Sequence, residues 1–435
     1  MVQRSIKQGG TKSNLTTIYI LAIFALLLLW VFVIHHDDPK YELPPAIINN
    51  NNNNNNNPSA QKNLLQSPFI TTKIPFNQLC DATTYNQGQW VKRKFHVKNN
   101  QVKSFTLKAG YHCPQHFAHK CFERNEKELI RSKQIAEWEW KPEQCQLLDM
   151  NAYELANHLS KHPLLFVGDS ISQLQYESMG CLLGEFMSKP TKQMMSNNIT
   201  RGDKSIKVSE LAFTTTDSHA DTSPSLAYIR SDFLLRTDDF KLINPFEKEG
   251  DLMGIGHNFP WVHALPHFDY IVINTGAHWH KDIKWGPNTS EEELRQAFKD
   301  GMKVVFDHLK KVIKPHQRVW VRSTPYGHSN CSQYKKPMKK LNPPTGQPGQ
   351  YVWHLFSTFD NIWREWIENE KDPRFNYFDI SYMSNLRGDA HSKPDKDCLH
   401  FCIGGGPVDF WNQYLYHEIG KNALMEYEKQ KKTSN

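Results

Sequence analysis

The chain has 435 residues, enough for one large catalytic domain with accessory segments. Its formal net charge of +7 is dispersed, without the long Lys/Arg runs of a nucleic-acid-binding protein, so nucleic acid is excluded as a partner. None of the eight cysteines belongs to a CxxC pair, so neither a zinc site nor a thioredoxin-type redox motif is expected.

The N-terminal region contains one segment that is suited to a membrane. Residues Ile18–Ile34 carry no charge and no proline. Together with the two threonines before them, they are close to the length of about 20 helical residues that is needed to span a bilayer. Basic residues precede this segment and acidic residues follow it, which predicts a cytosolic tail over 1–17 and a lumenal remainder. A cleaved signal peptide is the alternative. Because the segment ends in large residues, we favour an uncleaved transmembrane helix over 18–34.

A polar spacer follows. An unbroken asparagine run, Asn49–Asn57, cannot bury enough apolar surface to fold, and it predicts a disordered stem over 35–75. The next segments are a cysteine-containing leader, residues 76–150, and an esterase or acyltransferase domain over 151–425. Sequons on the predicted lumenal side make three asparagines candidates for glycosylation: Asn198, Asn288 and Asn330.

Short apolar runs and helical patterns alternate in the predicted esterase or acyltransferase domain, residues 151–425. Four runs are typical of strands: Leu164–Val167, Tyr270–Ile273, Arg318–Arg322 and Phe375–Ile380. The first leads through a Gly-Asp-Ser turn into a helical pattern, and a Ser-x-x-Glu capping box at Ser290 begins another helix. Alternating strands and helices predict an α/β fold with a parallel sheet covered on both faces. Functional sites in such sheets form beyond the carboxyl ends of the strands.

Ser170 lies at such a position, between a strand and a helix N-terminus whose backbone N–H groups could stabilise an oxyanion. The alternative is a plain helix cap, since serine is favoured there. Asp397 and His400 are three residues apart on a C-terminal segment, so the carboxylate could orient the imidazole as the base for Ser170. For Asp397 and His400, the alternative is a surface turn.

Asn274, at the end of its own strand, could be a side-chain donor of the oxyanion hole beside the Ser170 backbone. Alternatively, Asn274 could form an Asx-turn.

Three blocks of the sequence resemble the trichome birefringence-like and PC-esterase proteins. They are Phe166–Cys181, Val272–Trp279 and Asp397–Asn412, and the cysteine-bearing leader from Cys80 resembles that of the plant members. The chain departs from the family pattern in two places: Ala277 is an extra residue, and Phe401 replaces a tryptophan. The resemblance covers about residues 80–416.

The resemblance implies a three-layer α/β/α fold like that of SGNH hydrolases, preceded by a disulfide-stapled leader subdomain and the N-terminal transmembrane helix. It implies polysaccharide O-acetylation in the Golgi membrane by a single-pass type II protein, with Ser170, His400 and Asp397 as a catalytic triad. Candidate substrate-binding residues are Asp169, His278 and Trp279, which lie within these blocks, and Arg322, which ends the predicted strand Arg318–Arg322. The disulfides implied by the family are Cys80–Cys145, Cys113–Cys181, Cys121–Cys402 and Cys331–Cys398.

The expected reaction uses no bound cofactor; an acyl donor is a cosubstrate, and a polysaccharide or glycan is the acceptor. If water is the acceptor instead, the same triad makes the protein an acetylesterase. A third possibility is a non-catalytic lumenal glycan-binding module. Since acetyl-CoA is cytosolic and one span forms no translocation path, a multi-span transporter is an expected partner.

Overall fold

The computed structural model describes residues 65–433, apart from 98, 115–116, 188–193, 197–205, 212–224, 238, 244–259, 281–289 and 395. The expected membrane span, the asparagine run and the sequons at Asn198 and Asn288 lie outside the described residues. None of the helices in the described ranges combines the length and the hydropathy of a membrane span. Asn330, the remaining sequon asparagine, is exposed beside Cys331.

The strands and helices are numbered here in chain order. The strands are β1 Leu65–Gln66, β2 Thr71–Thr72, β3 Gly88–Lys92, β4 Trp138–Pro142, β5 Leu164–Gly168, β6 Met194–Ser196, β7 Ile206–Leu211, β8 Leu226–Arg230, β9 Tyr270–Ile273, β10 Arg318–Arg322, β11 Phe375–Phe378, β12 His391–Lys393 and β13 Asp397–Phe401. The helices are α1 Val102–Ala109, α2 Glu126–Ala136, α3 Ala152–Leu159, α4 Ser170–Leu183, α5 Glu291–Val312, α6 Phe356–Glu370, α7 Ser381–Asn385 and α8 Pro407–Thr433.

The central sheet has the strand order β11–β10–β9–β5–β8–β7–β6. The strands from β11 to β8 run parallel, and β7 and β6 continue the sheet in antiparallel pairing. The prediction of a parallel α/β sheet is therefore confirmed, including β5, β9 and β10 from their apolar runs. Helix α5 begins at the predicted capping box, in which Ser290 and Glu293 each accept a hydrogen bond from the other's backbone N–H.

Helices cover both faces of this sheet. Alternate residues of β5 enter different cores: Phe166 packs with side chains of α4 and α8, whereas Val167 packs with side chains of α5 and α6. This alternation follows from the two-residue period of a strand, and the continuous burial of β5 is what a central parallel strand requires. The result is a three-layer α/β/α arrangement.

The leader, residues 76–150, shares one of these cores. Tyr85 stacks on Tyr414 of α8, with ring centroids 3.6 Å apart, and the indole of Trp90 donates to the Met383 carbonyl oxygen at 2.8 Å. Phe105 of α1 is buried in the same cluster. The described residues, which begin at Leu65, belong to one compact unit, so the leader packs as part of the fold and not as a body of its own.

The folded unit also begins earlier than the sequence suggested. Strands β1 and β2 form a small hairpin, closed by hydrogen bonds between Ser67 and Ile70. The side chains of Phe69 and Ile70 are buried against α8 and its neighbours. These apolar side chains give residues 65–75 a place in the core, which corrects the predicted end of the spacer at residue 75.

The structure joins all eight cysteines in the pairs that the family resemblance implied. The disulfides are Cys80–Cys145, Cys113–Cys181, Cys121–Cys402 and Cys331–Cys398. Cys402 directly follows β13 and Cys398 lies within it, so two bridges fasten this strand to the leader and to the loop after β10. Strand β13 is thereby fixed from both sides.

Candidate active site

Ser170 lies at the sharp turn between β5 and α4. Gly168 adopts a φ of 147°, and a Cβ at this position would lie 2.3 Å from the Asn274 carbonyl oxygen and 2.4 Å from Ser172 Oγ. Only glycine allows this close approach. The side chain of Asp169 caps α4 by accepting the Ile171 N–H at 2.9 Å. The turn therefore presents a half-buried Ser170 at the carboxyl edge of the sheet.

His400 and Asp397 meet this serine from β13. His400 Nε2 lies 2.7 Å from Ser170 Oγ, and His400 Nδ1 lies 2.8 Å from Asp397 Oδ2. Burial raises the pKa of Asp397, but the hydrogen bonds from the His400 ring and from the His400 and Leu399 backbone outweigh it, and the pKa falls well below its usual range. An ionised Asp397 accepts the Nδ1 proton, which leaves Nε2 as an acceptor for the Ser170 hydroxyl.

The strand that carries this base is held by arginines of the leader. Arg131 Nη1 donates to the carbonyl oxygens of Asp389 and His391, at 3.2 and 3.0 Å, and Arg124 donates to that of Ser392. The His391 and Ser392 carbonyls belong to β12, Asp389 lies two residues before it, and β12 pairs with β13. The leader thus positions the base relative to the nucleophile, and no local motif in the sequence indicated these contacts.

Asn274 lies where the sequence placed it, directly after β9, but its amide is already engaged. Asn274 Nδ2 donates to the Arg322 carbonyl oxygen at 2.8 Å and to Thr324 Oγ1 at 2.9 Å. Both amide hydrogens are therefore donated, one to the end of β10 and one to the loop after it, and neither is free for an oxyanion. Among the described residues, the Ser170 N–H in the first turn of α4 has no acceptor, and it stays the candidate donor.

Three of the four candidate substrate-binding residues are buried, which corrects their assignment. Trp279 is fully buried and its indole donates to Thr275 Oγ1 at 3.0 Å. Asp169 is fully buried as the cap of α4, and Arg322 is 1% exposed. Only His278 keeps substantial exposure, at 35% of its side chain, near Asp232. A position after a strand indicated the correct edge of the sheet, but it did not determine which side chains turn inward.

Arg322 instead supports the nucleophile turn from within. Its Nη2 donates to Ser172 Oγ at 3.2 Å, and its guanidinium lies 5.2 Å from the ring centroid of Trp411. Burial lowers the pKa of Arg322 to about 10, while the charges of Asp169 and Asp360 oppose that decrease. The guanidinium remains charged at neutral pH, beneath the turn that presents Ser170.

Tyr228 of β8 is a site residue that the sequence reading missed. Its hydroxyl donates to the carbonyl oxygens of Gly168 and Asp169, both at 3.1 Å. These are the two residues before the nucleophile, so Tyr228 fixes the same turn from the neighbouring strand. The apolar run Leu226–Ile229 is a signal that could have identified β8. Within the described part of the chain, no group of histidine, cysteine or carboxylate side chains is arranged to hold a metal ion.

With this geometry in place, comparison with known proteins identifies the family. The model for PC-Esterase, described as a GDSL/SGNH-like acyl-esterase family found in Pmr5 and Cas1p, matches residues 147–418. The chain belongs to this family. The match begins just before α3 and includes β5, β8, β9, β10 and β13, the strands that carry or directly precede the residues described for the Ser170 site.

Several plant members of the PC-esterase family are similar to this chain. Protein trichome birefringence-like 35 of Arabidopsis thaliana is 24% identical, over 78% of this chain and 76% of that protein. Xyloglucan O-acetyltransferase 1 of Arabidopsis thaliana is 24% identical, over 82% and 84%. Xylan O-acetyltransferase 6 of Oryza sativa subsp. japonica is 24% identical, over 66% and 56%. A solved peptidoglycan O-acetylesterase is 10% identical and remote, with a TM-score of 0.29 over 64% of this chain and 96% of that one.

Proposed function

We propose that this chain is a lumenal serine O-acetyltransferase that modifies polysaccharide hydroxyls through an acyl-serine intermediate. The observation that carries the proposal is the continuous hydrogen-bonded chain from Ser170 Oγ through His400 to Asp397. Nucleophile, base and orienting acid are the groups that acyl transfer requires. The acceptor class is supported by relatives whose names are xylan and xyloglucan O-acetyltransferase.

In the first step, His400 Nε2 takes the proton of Ser170 Oγ as the oxygen forms a bond to the acyl carbon of the donor. The negative charge that develops on the carbonyl oxygen is stabilised by the Ser170 N–H and the N-terminal end of α4. Collapse of this intermediate breaks the bond to the leaving group, which departs with the proton from His400. The product is an ester at Ser170.

In the second step, a sugar hydroxyl gives its proton to His400 Nε2 and attacks the acyl carbon. The bond to Ser170 Oγ breaks, and Ser170 regains the proton from His400. Asp397 remains ionised throughout and stabilises the imidazolium in both steps. If water attacks in place of the sugar, acetate is released and the chain acts as an esterase.

The proposal includes a single-pass type II location in the Golgi membrane, with an acyl donor as cosubstrate and a multi-span transporter as the source of acetyl groups. The basis for this location is the uncharged segment Ile18–Ile34 with basic residues before it. Protease digestion of intact microsomes should leave the Ser170 region protected until detergent is added. Digestion without detergent would contradict this topology.

The function is tested by incubating the full-length chain with an acetyl donor and a panel of polysaccharides, with mass spectrometry of the glycans and of released acetate. We expect acetylated glycan with the wild-type chain and none with Ser170→Ala. Acetate release alone, at saturating glycan, would establish the esterase. A Ser170→Ala chain that still restores function in cells would favour the glycan-binding module.

A further inference from the structure

A second imidazole lies against the candidate base. The ring of His119 stacks on that of His400, with centroids 5.3 Å apart and planes inclined by 18°. The backbone holds it there, because the Ile403 N–H donates to the His119 carbonyl oxygen at 3.0 Å. The disulfide Cys121–Cys402 follows two residues later and joins the same two segments. His119 is therefore fastened to the end of the strand that carries His400.

Glu177 faces His119 from α4, the helix that Ser170 begins. Its Oε2 lies 3.9 Å from His119 Nδ1, which is too long for a hydrogen bond but within the range of an ion pair. Both atoms are buried, and neither has a hydrogen-bond partner among the described residues. The other carboxylate oxygen accepts from Gln173 Nε2 at 2.8 Å. Burying polar atoms without a hydrogen bond costs free energy, so two unpartnered atoms beside the site need an explanation, and a role in binding substrate would supply one.

The position of His119 relates it to the acceptor step. An acceptor hydroxyl must approach His400 Nε2 in order to lose its proton. The sugar that carries this hydroxyl must then lie beside a ring that stacks on His400, as the His119 ring does. The His119 side chain is 18% exposed, and its buried nitrogen is Nδ1, on the side of Glu177. Nε2 has no partner in the described part of the chain, so it is available to a sugar hydroxyl.

We propose that His119, oriented by Glu177, binds the acceptor glycan next to the attacking hydroxyl and so favours transfer over hydrolysis. This assignment rests on the proposed function, because it concerns the second half of the same reaction. No covalent step is assigned to His119. Its Nε2 hydrogen-bonds the sugar, while proton transfer stays with His400.

A purely structural role for the stacked ring is the alternative, and two substitutions separate the roles. His119→Phe keeps a flat ring against His400 and removes both nitrogens. His119→Gln places an amide near the position of Nε2 and should restore part of any function that depends on hydrogen bonding. His316→Phe is a matched control, because His316 is 60% exposed and lies two residues before β10, at the opposite edge of the sheet from Ser170.

The experiment uses the full-length chain with p-nitrophenyl acetate as donor and a xylo-oligosaccharide as acceptor. Mass spectrometry gives the ratio of transfer to hydrolysis for each acyl-enzyme formed. Calorimetry measures binding of the same oligosaccharide to chains that also carry Ser170→Ala, so this second readout does not depend on turnover. Losing one hydrogen bond between the imidazole and a sugar hydroxyl corresponds to an effect of about tenfold.

We expect His119→Phe to lower the transfer-to-hydrolysis ratio and the oligosaccharide affinity about tenfold each, with partial recovery in His119→Gln and wild-type values in His316→Phe. Equal slowing of acyl-enzyme formation and transfer with unchanged binding would overturn the inference, because the ring would then only support His400. Unchanged values throughout would overturn it as well. If the wild-type chain never acylates Ser170 yet binds the oligosaccharide in a His119-dependent way, the proposed reaction fails while the glycan contact stands.

Discussion

His417, a buried histidine of α8, should make the stability of the fold depend on pH between neutrality and mild acid. The Leu148 N–H donates to His417 Nδ1 at 3.0 Å, and the Cys80 carbonyl oxygen lies 2.9 Å from His417 Nε2. One ring nitrogen must accept and the other must donate, so the folded state requires the neutral ring. Burial lowers the pKa of His417 from 6.5 to about 4, the Cys80 hydrogen bond opposes this decrease, and Lys421 adds to it.

The sign and size of the effect follow from this shift. Below pH 6.5 the unfolded chain binds a proton at His417, whereas the folded chain does so only near pH 4. The stability from the neutral ring is therefore complete above pH 6.5 and is lost as the pH falls toward 4. Going from about pH 7 to about pH 5 should cost about 2 kcal/mol from this residue.

The assay is urea unfolding of the full-length chain, followed by tryptophan fluorescence across this range of pH. His417→Gln should be less stable than the wild-type chain near neutrality, since it cannot keep both hydrogen bonds. The difference should shrink by about 2 kcal/mol by about pH 5. His316→Gln, at an exposed position, should stay within about 0.5 kcal/mol of the wild-type chain. A difference for His417→Gln that is constant with pH would refute the reasoning.

Three further predictions concern the Ser170 site. Ser170→Ala and His400→Ala should each abolish transfer without unfolding the chain, and the double variant should be hardly worse because the groups act as a unit; comparison of turnover with thermal unfolding checks this. Asp397→Asn should leave the ring near its place but favour the wrong tautomer, with a loss of about 10⁴ in kcat. Replacing both Cys331 and Cys398 by serine, a pair 67 residues apart, should lower the free energy of unfolding by about 4 kcal/mol in urea titrations and should also reduce turnover. Full activity in any of these variants would contradict the corresponding assignment.

Much of the framework followed from local sequence patterns. Apolar runs located β5, β9 and β10 because parallel strands in the centre of a sheet are buried on both faces. Ser170 could be placed from the strand and helix around it, and Asp397 with His400 from their spacing. The structure adds that these three side chains form one hydrogen-bonded chain.

The direction in which each side chain points could not be predicted from these local patterns. Arg322 and Trp279 lie at or after strand ends at the carboxyl edge of the sheet, yet both turn into the core. Asn274 lies at the predicted place, but its amide hydrogens are donated to the Arg322 carbonyl oxygen and to Thr324 Oγ1. His119 could not be distinguished among 21 histidines. Its contact with His400 depends on two segments that are joined by the disulfide Cys121–Cys402, whose cysteines are 281 residues apart in sequence.

The central claim is that acyl transfer passes through an ester at Ser170. The most direct test is to mix the full-length chain with an acetyl donor, quench the reaction within its first turnover, and map the acetyl group by peptide mass spectrometry. We predict acetylation of the peptide that contains Ser170, its absence in His400→Ala, and its loss when acceptor glycan is added. An acetyl group found on another residue, or transfer to glycan at the normal rate by Ser170→Ala, would contradict the account.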